Sequence, residues 1–123
     1  MEKKRILVVD DEAGFTRLLK LALRTYEIRE ENDPTRALQA ALEFRPDLVL
    51  LDVIMPEVDG VALASRIRSD TSLAHVPIVF VTASVSPVQA QAERQIRGFP
   101  FLPKPVGLDE ILSCIEEQLA AAA

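Results

Sequence analysis

The sequence predicts a three-layer α/β domain, a parallel sheet wound on both faces by helices. Three observations carry that prediction. Residues 6–9, 48–51 and 78–81 are short continuous apolar runs, the pattern of strands buried on both faces. Stretches with apolar residues three and four positions apart lie between and after them. Strands separated in this way by helical stretches imply right-handed crossovers and a parallel sheet with both faces covered. The 123 residues suit one domain spanning 1–123, without room for a second folded unit.

Taken in order, Lys3, Lys4 and Arg5 lead into the first strand, and a helix follows with Phe15, Leu18, Leu19, Ala22 and Leu23 on one face. A weaker second strand is expected over residues 27–31. Asp33 and Pro34 then give an N-cap and first-turn signal for a helix carrying Ala37, Leu38, Ala41 and Leu42. Pro46 and Asp47 break the pattern before the third strand. Residues 55–60 read as a loop, and Asp59 as the cap of a helix carrying Val61, Leu63, Ala64 and Ile67. Pro77 opens the fourth strand, rich in β-branched residues and ending at Thr82. Ser86 and Pro87 signal a further helix, residues 99–102 a short fifth strand, and Leu108, Ile111, Leu112, Ile115 and Leu119 a terminal helix whose last alanines are expected to fray.

Composition narrows the function. A net charge of -5 with no basic stripe disfavours direct nucleic-acid binding. Cys114, the lone cysteine, excludes an internal disulfide, and no apolar run approaches the length that spans a bilayer, so a cytoplasmic protein is expected. Cys114 is expected to be inert packing, His75 a surface residue, and Glu116 and Glu117 a solvated helix face.

In an open α/β sheet the chemistry gathers beyond the carboxyl ends of the strands. The predicted strands put Asp10 and Asp11, Asp52, Thr82 and Lys104 there. Three crowded carboxylates repel, so they either bind a proton or recruit a hard cation, with oxygen ligands favouring Mg²⁺. Lys104 and Thr82 add a cation and a hydroxyl donor that suit a phosphoryl group. Any one of these residues alone reads as a cap, a strand end or a solvated charge; the set carries the argument.

The segments VVDDE, LLDVIMPEVDG, VFVTAS and FLPKP, in that order, resemble the defining segments of response-regulator receiver domains, and the resemblance covers essentially the whole chain. It implies a flavodoxin-like, five-stranded sheet of order 2-1-3-4-5. It further implies that Asp52 is the phosphoacceptor, taking a phosphoryl group from a phosphohistidine of a sensor histidine kinase or histidine phosphotransfer protein. Asp10, Asp11 and Asp52, with the backbone carbonyl of Ile54, would hold Mg²⁺, for which Mn²⁺ could substitute. Lys104 and Thr82 would contact phosphoryl oxygens, and Phe101 matches the aromatic switch position that moves with Thr82. The output would be altered protein binding in trans, through the helix starting near Ser86, the fifth strand and the terminal helix. The chain would be a signalling module rather than an enzyme with a separate substrate, and the oligomeric state, a homodimer included, stays open.

Two features depart from the family pattern. Ile54 stands where receivers often carry a polar residue, so it offers a metal only its backbone; an apolar side chain there would shield an acyl phosphate from water. The segment around Pro100 is one residue shorter than the usual spacing. Lys104-Pro105 resembles the family's Lys-Pro step, where a cis bond aims the lysine. The rival enzyme reading, a magnesium-dependent aspartyl-phosphate phosphohydrolase, lacks its D-x-D-x-T motif, because Asp10 and Asp11 are adjacent and lead to Glu12. A nucleotide- or flavin-binding domain would want a glycine-rich loop after the first strand, and none is present.

Overall fold

Alternate residues of each central strand enter opposite cores, which is why the strands read as unbroken apolar runs. In the computed structural model, which describes residues 2–55, 57–83, 95–96 and 98–122, the strands are β1 (Arg5–Val9), β2 (Glu27–Glu31), β3 (Leu48–Leu51), β4 (Ile78–Thr82) and β5 (Phe99–Pro103). They pair in parallel in the order β2-β1-β3-β4-β5, as the family resemblance implies. The helices are α1 (Ala13–Ala22), α2 (Ala37–Phe44), α3 (Gly60–Ser69) and α4 (Leu108–Ala122). The helix expected near Ser86 and Pro87 falls outside the described residues.

Leu7, Val9, Val49, Leu51, Ile78 and Phe80 face one layer, packing on Ala37, Ala40 and Ala41 of α2 and Leu63, Ala64 and Ile67 of α3. Ile6, Val8, Leu48, Leu50, Val79 and Val81 face the other, against Leu19 of α1, Leu23 just beyond it, and Ile111 and Ile115 of α4. The sheet is therefore buried on both sides, and its polar chemistry is confined to its ends.

Local signals set the helix starts. Asp59 accepts hydrogen bonds from the amides of Val61 and Ala62, capping α3 as expected. Asp33 caps a single 3₁₀ turn, Pro34–Arg36, that feeds α2. Arg45 ends α2 in the left-handed region at φ 53°, a C-terminal geometry that otherwise favours glycine.

The structure corrects four local expectations. Residues 55–60 are not plain loop: Ile54–Met55 and Val58–Asp59 pair antiparallel, reversing through Glu57 at φ 64°, and Gly60 already belongs to α3. A two-residue strand, Gln95–Ile96, adds antiparallel to the outer edge of β5, so the sheet has a sixth member. The terminal alanines stay helical through Ala122, in keeping with alanine's high helix propensity. Leu18 is 50% exposed although its spacing matches the apolar stripe; α1 buries only a narrow face, led by Thr16 and Leu19. Among the described residues no helix is long and apolar enough to cross a membrane.

Candidate functional site

The parallel ladder stops at the same level on four strands, and the polar residues begin there. The amide of Asp52 donates to the Val9 carbonyl, tying the end of β3 to that of β1, and the Lys104 amide donates to the Thr82 carbonyl, tying the end of β5 to that of β4. Asp10, Asp52 and Thr82 are consequently buried, while Asp11 is exposed. The five side chains singled out from sequence meet at one rim: Asp11, Asp52, Thr82 and Lys104 line one cleft with Glu12 and Ile54, and Asp10 lies against Lys104 behind it.

Asp10, Asp11 and Asp52 each present a carboxylate oxygen within 4.8 Å of the other two. Lys104 supplies the countercharge. Its ammonium donates to Asp10 Oδ2 at 2.6 Å and to Glu12 Oε1 at 2.8 Å, and stands 3.5 Å from Asp52 Oδ2. The Asp52 carboxylate also accepts the Ile54 amide at 3.1 Å, an Asx turn that fixes its rotamer over the cleft.

Burial dominates Asp10: it pushes the carboxyl's pKa up, against the Lys104 and Glu12 hydrogen bonds and the Lys104 charge that pull it down, while the Asp52 charge adds to the rise. For Lys104 burial is the largest single influence and works downward. The hydrogen bonds it donates to Asp10 and Glu12, with the charges of Asp10 and Asp52, outweigh it together and leave the ammonium held well above its ordinary value. The lysine is thus a fixed cation at any physiological pH.

The donor set suits a small hard divalent cation. All three candidate ligand groups are carboxylates, two buried and one exposed, so a cation would find anionic oxygens on one side and water on the other. It would also offset the repulsion that Lys104 neutralises only in part.

Support for the rim comes from residues that sequence reasoning passed over. Asn32 donates to the Asp10 carbonyl at 2.9 Å and to Thr16 Oγ1 at 2.8 Å, and Thr16 in turn donates to Glu30 at 3.0 Å, so the turn after β1 is pinned to the end of β2. Gly60 backs the phosphoacceptor candidate: a Cβ there would run into the Asp52 carbonyl oxygen and lie 2.6 Å from Val53 Cα. Glu12, the third acidic residue after β1, turns out to be a direct partner of Lys104. Only the D-G step at Asp59-Gly60 hinted at one of these roles, by marking a tight approach.

Other expectations find their places. The Lys104-Pro105 bond is cis. Phe101 is buried within the core and registers beside Phe80. Ile54 is 63% exposed at the cleft's mouth. His75 is exposed and sits beside Lys4, Asp47 and α4, far from these residues. Cys114 is half-buried, and burial pushes its thiol pKa up, which fits inert packing.

Comparison with known proteins bears on the family and the fold. The model of the response regulator receiver domain matches residues 6–116. The chain is 42% identical over 109 residues to the response regulator PleD of Caulobacter vibrioides, covering 83% of this chain and 23% of that protein. It is 34% identical over 119 residues to the DNA-binding response regulator MtrA of Mycobacterium tuberculosis, covering 95% of this chain and 51% of MtrA. The chemotaxis response regulator CheY4 of Vibrio cholerae superposes with a TM-score of 0.82 at 26% identity, over 95% of this chain and 99% of that one. The chain spans about half the length, or less, of these curated relatives. On the strength of the matched family model and of the fold beneath it, this chain belongs to the response regulator receiver domain family.

Proposed function

We propose that Asp52 is the acceptor of a phosphoryl group and that the domain works as a phosphorylation-controlled switch in a two-component or phosphorelay pathway. The observation that carries this reading is the Asp52 carboxylate itself: buried at a strand end, oriented by the Ile54 amide, and flanked by an ammonium and two further carboxylates. An Asp52 oxygen attacks phosphorus of a phosphohistidine, the P–N bond breaks with its electron pair returning to the imidazole, and an acyl phosphate forms. Asp10, Asp11, Asp52 and the Ile54 backbone carbonyl would hold Mg²⁺, with Mn²⁺ as a substitute. Bound there, the cation would neutralise charge on carboxylate and phosphoryl oxygens.

The chain's own residues do the rest. Lys104, 3.5 Å from the Asp52 carboxylate, would meet one phosphoryl oxygen, and the Thr82 hydroxyl, from the same cleft at the end of β4, would donate to another. Phe101 lies on β5 in register with Phe80 of β4, two residues before Thr82, and would move with Thr82. Contacts made only to the phosphorylated form bias a pre-existing equilibrium between two conformations. Shifting it from about 1:99 to about 99:1 takes about 5.5 kcal/mol of differential interaction, within reach of a few charge-assisted hydrogen bonds.

The donor is a sensor histidine kinase or histidine phosphotransfer protein, the output a change in binding to a protein effector, and the setting the cytoplasm, with residues 1–123 acting as one domain. The domain's only catalysis is of its own phosphorylation and dephosphorylation. The test is incubation with acetyl phosphate and Mg²⁺, read by intact mass. One lasting phosphoryl group per chain, absent in Asp52→Asn, is expected; multiple turnover of donor without a phosphorylated chain would instead indicate a phosphohydrolase.

A further inference from the structure

Lys104 is held by two carboxylates of opposite character. Asp10 is buried, its side chain 2% exposed, whereas the Glu12 side chain is 63% exposed, yet both lie within hydrogen-bond distance of the same ammonium. The Phe15 ring closes a third side, its centroid 4.6 Å from Lys104 Nζ. Of the three acidic residues around the ammonium, Asp52 is the farthest, at 3.5 Å.

Glu12 occupies the N-cap of α1, where a side-chain oxygen ordinarily accepts from a first-turn amide. Its side chain makes no such bond. The backbone does the local work instead: the Glu12 carbonyl accepts from the Phe15 and Thr16 amides, and the Glu12 amide donates to Asp10 Oδ1. The carboxylate is left over from helix initiation, and it reaches a lysine 92 positions along the chain.

We propose that Glu12 is a positioning residue that latches Lys104 in the unphosphorylated domain, competing with the phosphoryl group on Asp52 for the same ammonium. The inference rests on the Asp52 reading above. Of the two holds on the lysine, the buried Asp10 pair is the one kept, because releasing it would strand a carboxylate away from water. The Glu12 contact is the one exchanged, because water solvates the exposed carboxylate once it lets go. A phosphoryl oxygen then replaces the Glu12 oxygen on Lys104 at small net cost, and Glu12 sets how readily that exchange occurs.

The experiment compares wild type, Glu12→Gln, Glu12→Asp and Asp52→Asn in Mg²⁺, reading fluoroberyllate affinity and the rate of Asp52 phosphorylation by acetyl phosphate, with thermal melts to confirm folding. Loss of an exposed competing pair is expected to tighten fluoroberyllate binding and speed phosphorylation by about two- to fivefold in Glu12→Gln, with the gain shrinking at high salt. Glu12→Asp keeps the charge but is one methylene too short for the contact, so it is expected to follow Glu12→Gln. Unchanged or weakened binding in Glu12→Gln would overturn the latch. So would Glu12→Asp matching wild type while Glu12→Gln gains, since the effect would then be charge at a distance. If wild type is not phosphorylated at Asp52, or Asp52→Asn takes up the phosphoryl group equally, the acceptor reading falls first, an outcome separate from these.

Discussion

The middle of the sheet and its carboxyl rim are built from the same strands but obey opposite rules. In the middle, Leu7, Leu50 and Phe80 are wholly apolar and sealed between helical layers. Two or three residues further on, Asp10, Asp52 and Thr82 are also buried but polar, and Lys104 is needed to hold two of them together. The middle supplies stability; the rim consumes some of it, because like charges are gathered where burial raises the proton affinity of Asp10. The difference separates residues that define the fold from those that define its chemistry, and substitutions at each level should respond in opposite directions.

The largest effect is expected in the middle. Phe80→Ala removes a fully buried ring that also meets Phe99 at a centroid distance of 5.3 Å, and should cost about 3–5 kcal/mol in denaturant unfolding. A smaller loss would mean that the two layers can collapse into the space. Gly60→Ala probes the junction of the two regions. Its Cβ must displace backbone at Asp52 and Val53, so a loss of about 1–3 kcal/mol is expected together with slower phosphorylation. Lost stability with an unchanged rate would show that the displacement spares the acceptor.

At the rim the sign should reverse. Asp10→Asn mimics the protonated carboxyl that burial favours, and should raise stability on the order of 1 kcal/mol at neutral pH while impairing phosphorylation. Its pH dependence is specific. The folded pKa of Asp10 is raised, so its stabilising contribution is present below the unfolded value and is lost as pH rises through the folded one. Melting temperatures of variant and wild type should therefore diverge in the variant's favour as pH rises from acid to neutral; a gap that narrows would contradict the assignment. Lys104 adds no such change near neutrality, since its raised pKa keeps its contribution intact until pH climbs beyond the ordinary lysine range.

The smallest thermodynamic effect belongs to Ile54, exposed at the cleft's mouth. Ile54→Asn should leave stability within about 0.5 kcal/mol yet shorten the lifetime of the Asp52 phosphate by admitting water. An unchanged lifetime, followed by mass after donor removal, would make Ile54 a bystander.

Much of this division was legible in the sequence. Continuous apolar runs marked β1, β3 and β4, and the polar residue ending each run marked the rim, because a parallel sheet buried on both faces leaves nowhere else for charge. The strand order came from family resemblance, since pairing across crossovers leaves no local trace. The hairpin at residues 54–59 was hidden because two-residue strands are too short for alternation to register. Leu18 was misplaced because spacing shows that a helix has an apolar side, not how wide a strip its neighbours cover. Glu12 and Asn32 escaped because their partners are tertiary: nothing near Glu12 announces a lysine 92 residues later.

The most direct measurement of the central claim is a crystal structure of the domain with Mg²⁺ and fluoroberyllate. The account predicts the beryllium fluoride group on the Asp52 carboxylate, touched by the Lys104 ammonium and the Thr82 hydroxyl, with the cation among Asp10, Asp11, Asp52 and the Ile54 carbonyl. An anion bound elsewhere, or an Asp52 left unmodified with Lys104 still on Glu12 at saturating fluoroberyllate, would contradict it.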